Sequence, residues 1–324
     1  MCVVFAVATA AVFTLSSGAD TTIAVSPGLD LQVANFSGSV DIRSWDKNAV
    51  RIQADSPGND KIIVKRDDDA LLIKGYSQRN VNHTIDLTIT APAWMNLIVS
   101  GVNTDVSIDG TKGRVRVDTV HGDIAVVGGR GQIELNAINQ DIHLTDASGT
   151  VLSETVNGDL TLQRIVSDSV EVSTVNGEIF YEGTIRDRGV YRFTSHNGDV
   201  AVALPKAANA TVSVSTFSGE FESDFPVTLK EVRPGRRFCF ITGRGSAQIE
   251  LESFQGTIHI FRPGTRGPVA EMESGDDDSD RHTHEKYKVE EKQQYKYEYK
   301  NKKKSSDDND SDSDENQDED QDSK

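Results

Sequence analysis

Between Val115 and Glu222 the apolar and polar positions of the chain fall into columns. One short motif returns as Thr-Val-His-Gly-Asp-Ile (119–124), Ala-Ile-Asn-Gln-Asp-Ile (137–142), Thr-Val-Asn-Gly-Asp-Leu (155–160), Thr-Val-Asn-Gly-Glu-Ile (174–179), Ser-His-Asn-Gly-Asp-Val (195–200) and Thr-Phe-Ser-Gly-Glu-Phe (216–221). Its turn positions 122, 140, 158, 177, 198 and 219 lie 18, 18, 19, 21 and 21 residues apart. The same register continues outward to turns at Gly38, Thr104 and Gly256, which makes nine rungs. Seven and five residues before each turn, and two and four after it, stand 36 positions of which only Ser153 and Ser223 are polar. Apolar residues two apart, separated by Arg, Glu, Thr, Ser or His, have the period of a strand with one face on a core.

Each rung is therefore expected to be strand, tight turn, strand. A unit that cannot bury its apolar face alone stacks on copies of itself. Because the inward residues share one register, the rungs stack as parallel ladders at ~4.8 Å per rung. The expected fold is all-β, a parallel β-solenoid of roughly 18–21-residue rungs. Each buried apolar side chain contributes roughly 1.5–3 kcal/mol before chain entropy is subtracted, so the columns hold the fold without disulfide or metal.

The register lapses from Asn48 to Pro92, where strand-like runs remain at Val50–Ala54, Ile62–Lys65, Leu71–Lys74 and Ile85–Ala91, with Arg66-Asp67-Asp68-Asp69 placed as a hairpin turn. This stretch is expected to be an irregular cap over the open end of the solenoid. The gap of 37 residues between Gly219 and Gly256 is near two rungs, and Arg236 to Gly245 is expected to form the missing one.

Charge changes the picture at the C-terminus. Of a net charge of −17, residues 271–324 carry −10, from 20 acidic and 10 basic side chains, with almost no aliphatic residues. Such a composition reads as a disordered acidic tail, here 264–324. An acidic balance throughout argues against nucleic acid, which is bound through a positive footprint, and against a bare anionic membrane surface. At the other end, Met1 to Ala19 is an uncharged apolar run, with Ser17 and Ala19 spaced like a signal-peptidase site. It reads as a signal peptide, too short for a permanent ~20-residue span, so the chain is expected to be exported with no transmembrane segment in its mature form. The solenoid then occupies 20–263. Cleavage leaves Cys239 alone between Phe238 and Phe240, a small apolar residue rather than a nucleophile.

Stacking turns any surface residue into a column. One position after the turn stand Asp105, Asp123, Asp141, Asp159, Glu178, Asp199 and Glu220, and one before it Asn103, His121, Asn139, Asn157, Asn176, Asn197 and Ser218. Like charges ~4.8 Å apart repel by about 1 kcal/mol even in water. A bound Ca²⁺ would relieve the repulsion, which makes Asp123, Asp141, Asp159, Glu178, Asp199 and Glu220 the candidate metal ligands. Turn chemistry is the competing reading: Asn-Gly-Asp suits positive φ, and no Asp-x-Asp-x-Asp or Gly-Gly-x-Gly-x-Asp loop is present. A polysaccharide-cleaving β-helix would need clustered acids and aromatic sugar platforms, yet Trp45 and Trp94 lie outside the regular rungs and no catalytic motif stands out.

The repeated Thr-Val-Asn-Gly-Asp/Glu rungs, the opening Leu31 to Ile42 with Trp45, and the close from Ser215 to Pro226 and through Gly243-Arg244-Gly245 to Gly256-Thr257-Ile258 resemble the bacterial DUF4097 β-strand repeat family, also labelled "putative adhesin". The resemblance covers about residues 29–262 and excludes the acidic tail. It implies a link with adhesion and, in some members, with envelope-stress modules; the chain is expected to be a non-enzymatic envelope or surface scaffold whose partner is an envelope protein or a surface glycan. It supplies no catalytic residue.

Overall fold

The computed structural model describes residues 11–267 apart from 17, 19, 57–60, 77–83, 234–236 and 266, all within one compact unit, Met1–Asp276. Most of the expected acidic tail and residues 1–10 of the expected signal peptide lie outside the described residues. Among the described residues every regular element is a strand. The chain opens with β1 (Ala11–Ser16), β2 (Asp20–Ala24), β3 (Asp30–Trp45), β4 (Ala49–Asp55), β5 (Lys61–Arg66), β6 (Ala70–Tyr76) and β7 (Asp86–Pro92). It continues with β8 (Leu97–Thr111), β9 (Val115–Asp118), β10 (Ile124–Gly128), β11 (Arg130–Asn136), β12 (Ile142–Thr145), β13 (Ser148–Glu154), β14 (Leu160–Asn176), β15 (Ile179–Asn197) and β16 (Val200–Ala203). It ends with β17 (Ala210–Thr216), β18 (Phe221–Ser223), β19 (Leu229–Arg233), β20 (Arg237–Thr242), β21 (Ala247–Gln255) and β22 (Ile258–Phe261).

The strands before the turns form one face and those after them another. On the first, β3, β8, β9, β11, β13, β14, β15 and β21 pair in parallel, in that order. On the second the order is β3, β8, β10, β12, β14, β15, β16 and β22. The registers match columns, as in Ile142 beside Leu160 and Leu160 beside Ile179. A β-solenoid-like stack is thus built by side chains of equal offset, as the repeat spacing requires. Of the 36 inward positions only Phe221 and Ser223 escape full burial, both on β18, the outermost strand of the second face. The 21-residue rung hides two tyrosines: Tyr181 packs on Phe193 at 4.9 Å, and the Tyr191 hydroxyl donates to the Ser167 carbonyl (2.7 Å) and accepts from the Arg186 N–H (2.8 Å). Burial pushes both phenols above the usual tyrosine range.

Both ends depart from chain order. After β15–β16 the next rung in space is β21–β22, and β17–β18 lies beyond it. The segment expected as a missing rung is β20, which pairs antiparallel with β17 and with β19, so it caps the stack as a hairpin rather than adding to it. At the other end, β6 and β7 pair in parallel with the two halves of β3 and so form a rung outside it. The expected irregular cap is thus one further rung faced by antiparallel β5 and β4, on which β1 and β2 pair in turn. Arg66 to Asp69 does make the β5–β6 hairpin turn, closed by the Asp67 N–H on the Ala70 carbonyl (2.9 Å). Both tryptophans hold the turn at 46–48: Trp45 Nε1 donates to the Ala49 carbonyl and Trp94 Nε1 to Asn48 Oδ1. Antiparallel strands give β6, β7 and β17, three of the last parallel strands, a partner, the usual way to blunt a sheet edge.

Candidate functional site

The edge where the two faces meet carries every repeated polar residue of the motif. Three residues before the turn, Thr119, Thr155, Thr174, Ser195, Thr216 and Ser253 point inward and are buried. Their hydroxyls bond the turn backbone, as from Thr155 to the Gln140 carbonyl (3.1 Å), Thr174 to Gly158 (3.2 Å) and Ser195 to Gly177 (3.0 Å). One residue before the turn, asparagine amides run as a ladder: Asn157 Nδ2 donates to Asn139 Oδ1 (2.7 Å), Asn176 to Asn157 (2.7 Å) and Asn197 to Asn176 (2.8 Å). Asn157 and Asn176 each donate to one neighbour and accept from the other, so a single residue type satisfies the middle of the column.

The turn glycines are required by the neighbouring rung. A Cβ on Gly158, Gly177 or Gly198 would overlap the carbonyl group of residue 140, 158 or 177 beneath it. Of the turn glycines only Gly38, Gly122 and Gly256 have a left-handed φ. Close approach, rather than the positive φ expected from the Asn-Gly sequence, therefore explains the remainder.

The acidic column is assembled as expected for Asp123, Asp141, Asp159, Glu178 and Asp199, but not for Glu220. Because β21–β22 intervenes, Thr257 lies next to Asp199, and the Thr257 N–H donates to Asp199 Oδ1 (2.6 Å). Along Asp123, Asp141 and Asp159 each carboxylate accepts the backbone N–H of the next acid: Asp123 Oδ1 from Asp141 (3.3 Å), Asp141 Oδ1 from Asp159 (2.7 Å) and Asp159 Oδ1 from Glu178 (2.7 Å). Charge-assisted bonds of this kind offset the mutual repulsion. Among the described residues no group of three or more His, Cys, Asp or Glu is arranged to hold a metal ion. The second carboxylate oxygens along the edge are what the column would offer to a cation.

A fourth column was not read from the sequence. Two residues before the turn, and pointing outward, stand in spatial order Phe36, Val102, Val120, Ile138, Val156, Val175, His196, Phe254 and Phe217. Seven of these are large hydrophobics exposed by 37 to 69%. The last three stack in parallel, with ring centroids 4.7 Å apart from His196 to Phe254 and again from Phe254 to Phe217. The signal was the apolar residue in the outward slot of Thr-Val-Asn-Gly, which breaks the alternation in every rung but that of His196.

Beside the edge, a cavity of about 110 Å³ is lined by Glu178, Phe180, Asp199, Glu222, Thr257 and His259 among others. Sites for drug-sized ligands occupy ~300–1,000 Å³. His259 Nε2 and Asp224 Oδ1 meet at 2.7 Å beside it. On the outer surface Arg164 pairs with Asp146 (2.7 Å) and holds that carboxyl below its usual range. Cys239 is a free, half-buried thiol on β20.

A family model described as Toastrack DUF4097 matches residues 28–261. No curated protein matches the chain significantly. Several solved structures show a distant likeness. One is a "putative adhesin" from Bacteroides fragilis, 13% identical, covering 77% of this chain and 97% of its own, with a TM-score of 0.35. A "putative cell adhesion protein" from Clostridium sporogenes is 12% identical over 75% of this chain and 99% of its own, with a TM-score of 0.24. A "putative lipid binding protein" from Parabacteroides distasonis is 11% identical over 75% and 96%, with a TM-score of 0.26. Likenesses this distant transfer no ligand.

Proposed function

The chain belongs to the Toastrack DUF4097 family, and from that premise we propose that it is an exported, non-enzymatic binding scaffold of the cell envelope. One observation carries this reading. The cross-rung ladders hold the asparagine and aspartate side chains of the turn edge in columns of fixed spacing, so that edge presents a long, rigid and repetitive polar surface. Such a surface suits an extended or repeating partner, an envelope protein or a surface glycan, because binding orders few of its own side chains.

Glycan cleavage is the rival reading, and the cavity at Glu178, Asp199, Glu222 and His259 is small for a saccharide. Turnover on a panel of polysaccharides, lost in Glu178→Gln and Glu222→Gln, would replace the scaffold reading with an enzymatic one. The expected result is no turnover, together with recovery of one partner from envelope extract that an unrelated β-solenoid does not retain.

Export rests on the apolar Met1–Ala19 run. Residues 11–16 pair with β5, so cleavage after Ala19 removes an edge strand and leaves β2 as the first. N-terminal sequencing of chain recovered from the cell envelope is expected to begin near Asp20. Retention of residues 11–16 in that material would refute the signal-peptide assignment.

A further inference from the structure

The outward apolar column is a different surface from the polar columns on which the proposed function rests. A soluble monomer rarely exposes a contiguous apolar strip of a few hundred Å² without using it. Here the strip runs the length of nine rungs and ends in the His196–Phe254–Phe217 stack, whose rings are already ordered and lose little freedom on being covered. We propose that it is a self-association surface, on which a second copy of this chain packs ridge against ridge.

Two features select a second copy as the occupant. The first is spacing: the ridge repeats at the strand separation of ~4.8 Å, and a copy of the same ridge repeats identically, so side chains that interdigitate at one rung interdigitate at all. A partner with any other repeat loses register within a few rungs. The second is area. With exposures of 37 to 69%, the ridge side chains offer about 600 Å² per copy, and two copies bury about 1,200 Å², the lower end of a stable standard interface. The pairing fits a weak, reversible dimer in that range.

Charge then decides the orientation. The acidic column of Asp105, Asp123, Asp141, Asp159, Glu178 and Asp199 flanks the ridge on the second-face side only. A two-fold axis perpendicular to the ridge would lay this column on its own copy, acid against acid. An axis parallel to the ridge sets it instead against the outward column of the first face, where Asn136, Ser173, Thr194 and Ser215 are neutral and Asp118 and Glu154 are acidic, so fewer like charges meet. The parallel arrangement also brings each ridge residue beside its own counterpart, Val156 next to Val156 of the second copy.

Sedimentation of the full chain over roughly 1–300 μM is the first test, and a reversible monomer–dimer equilibrium is expected. Val156→Asp with Val175→Asp should give monomer throughout at an unchanged melting temperature, because both positions face outward. Val156→Thr with Val175→Thr, which keeps β-branched residues, should weaken the dimer about tenfold. In a Cys2→Ser, Cys239→Ser background, Val156→Cys should form a disulfide-linked dimer on mild oxidation. A wild type that stays monomeric, or a dimer indifferent to both double variants, would overturn the proposal. Cross-linking of Phe36→Cys to Phe217→Cys in preference to Phe36→Cys to its own counterpart would overturn the parallel two-fold.

Discussion

Gly177→Ala tests the reasoning about the turn edge most directly. The added methyl would lie 2.6 Å from the Gly158 carbonyl carbon and closer still to its oxygen, whereas carbon–carbon contacts settle at ~3.5–4.0 Å. Both of these atoms are backbone and cannot swing aside as a flexible side chain would, so the two rungs must part locally by about 1 Å. Across that gap run the Gly158 N–H to the Asn176 carbonyl (3.0 Å), the Asn176 N–H to the Val156 carbonyl (2.8 Å) and the Asn176 amide to Asn157 Oδ1 (2.7 Å). Lengthening by about 1 Å takes most of these beyond hydrogen-bond range. One or two lost bonds at ~1 kcal/mol each, added to an overpacking cost of ~1–3 kcal/mol, give about 3 kcal/mol of destabilisation. For a domain of this size that is a fall in melting temperature of roughly 6–12 °C, measured by circular dichroism or calorimetry. Gln140→Ala is the control: position 140 occupies the same column with a side chain already in place and exposed, and its change should stay within about 0.5 kcal/mol. A Gly177→Ala protein that melts with the wild type would show that rung spacing does not demand the glycine.

The inward register predicts that Leu160→Asp leaves the chain insoluble or unfolded, since Leu160 is fully buried between Ile142 and Ile179 and an isolated buried carboxylate costs several kcal/mol. Thr161→Asp, one residue on and facing outward, should stay soluble with a wild-type spectrum, and equal tolerance of the two changes would refute the register. Ser153 sits fully buried in a column of Leu135 and Val172 with no hydrogen-bond partner for its hydroxyl; Ser153→Val is therefore expected to stabilise the protein by about 1 kcal/mol in denaturant titration, and a loss of stability would mean the hydroxyl is satisfied. Should Ca²⁺ bridge the acidic column, it binds only the folded state, so millimolar Ca²⁺ is expected to raise the melting temperature of the wild type above its value in chelator. The gain should vanish with Asp141→Asn, Asp159→Asn and Glu178→Gln combined; no gain in the wild type would leave these carboxylates as acceptors of backbone N–H groups alone.

The inward columns were legible in the sequence because a strand has a period of two and the rungs a period near 18, and burial depends on those two numbers alone. Leu31, Val117, Ile142 and Leu251 each occupy the slot that their offset from a turn assigns. The chemistry of the turns was legible in kind but not in cause. Asn-Gly-Asp marks a turn, yet the bonds that matter join Asn157 to Asn139 and Asp159 to Asp141, residues 18 positions apart, whose side chains meet only once the rungs are stacked.

What the tertiary structure alone decided is the order of the rungs at each end. Offset from a turn says which side of a strand faces inward, but every rung offers its neighbours the same inward columns, so local pattern cannot choose between them. The 37 residues from Gly219 to Gly256 are long enough to build the β19–β20 hairpin over β17 and return into the slot beside β15. The stretch from Asn48 to Pro92 does the same around β3. That choice moves Glu220 away from Asp199 and brings Phe254 between His196 and Phe217. Contacts between distant segments settle it, because the edges of β6, β7 and β17 are satisfied by antiparallel partners drawn from outside the repeat.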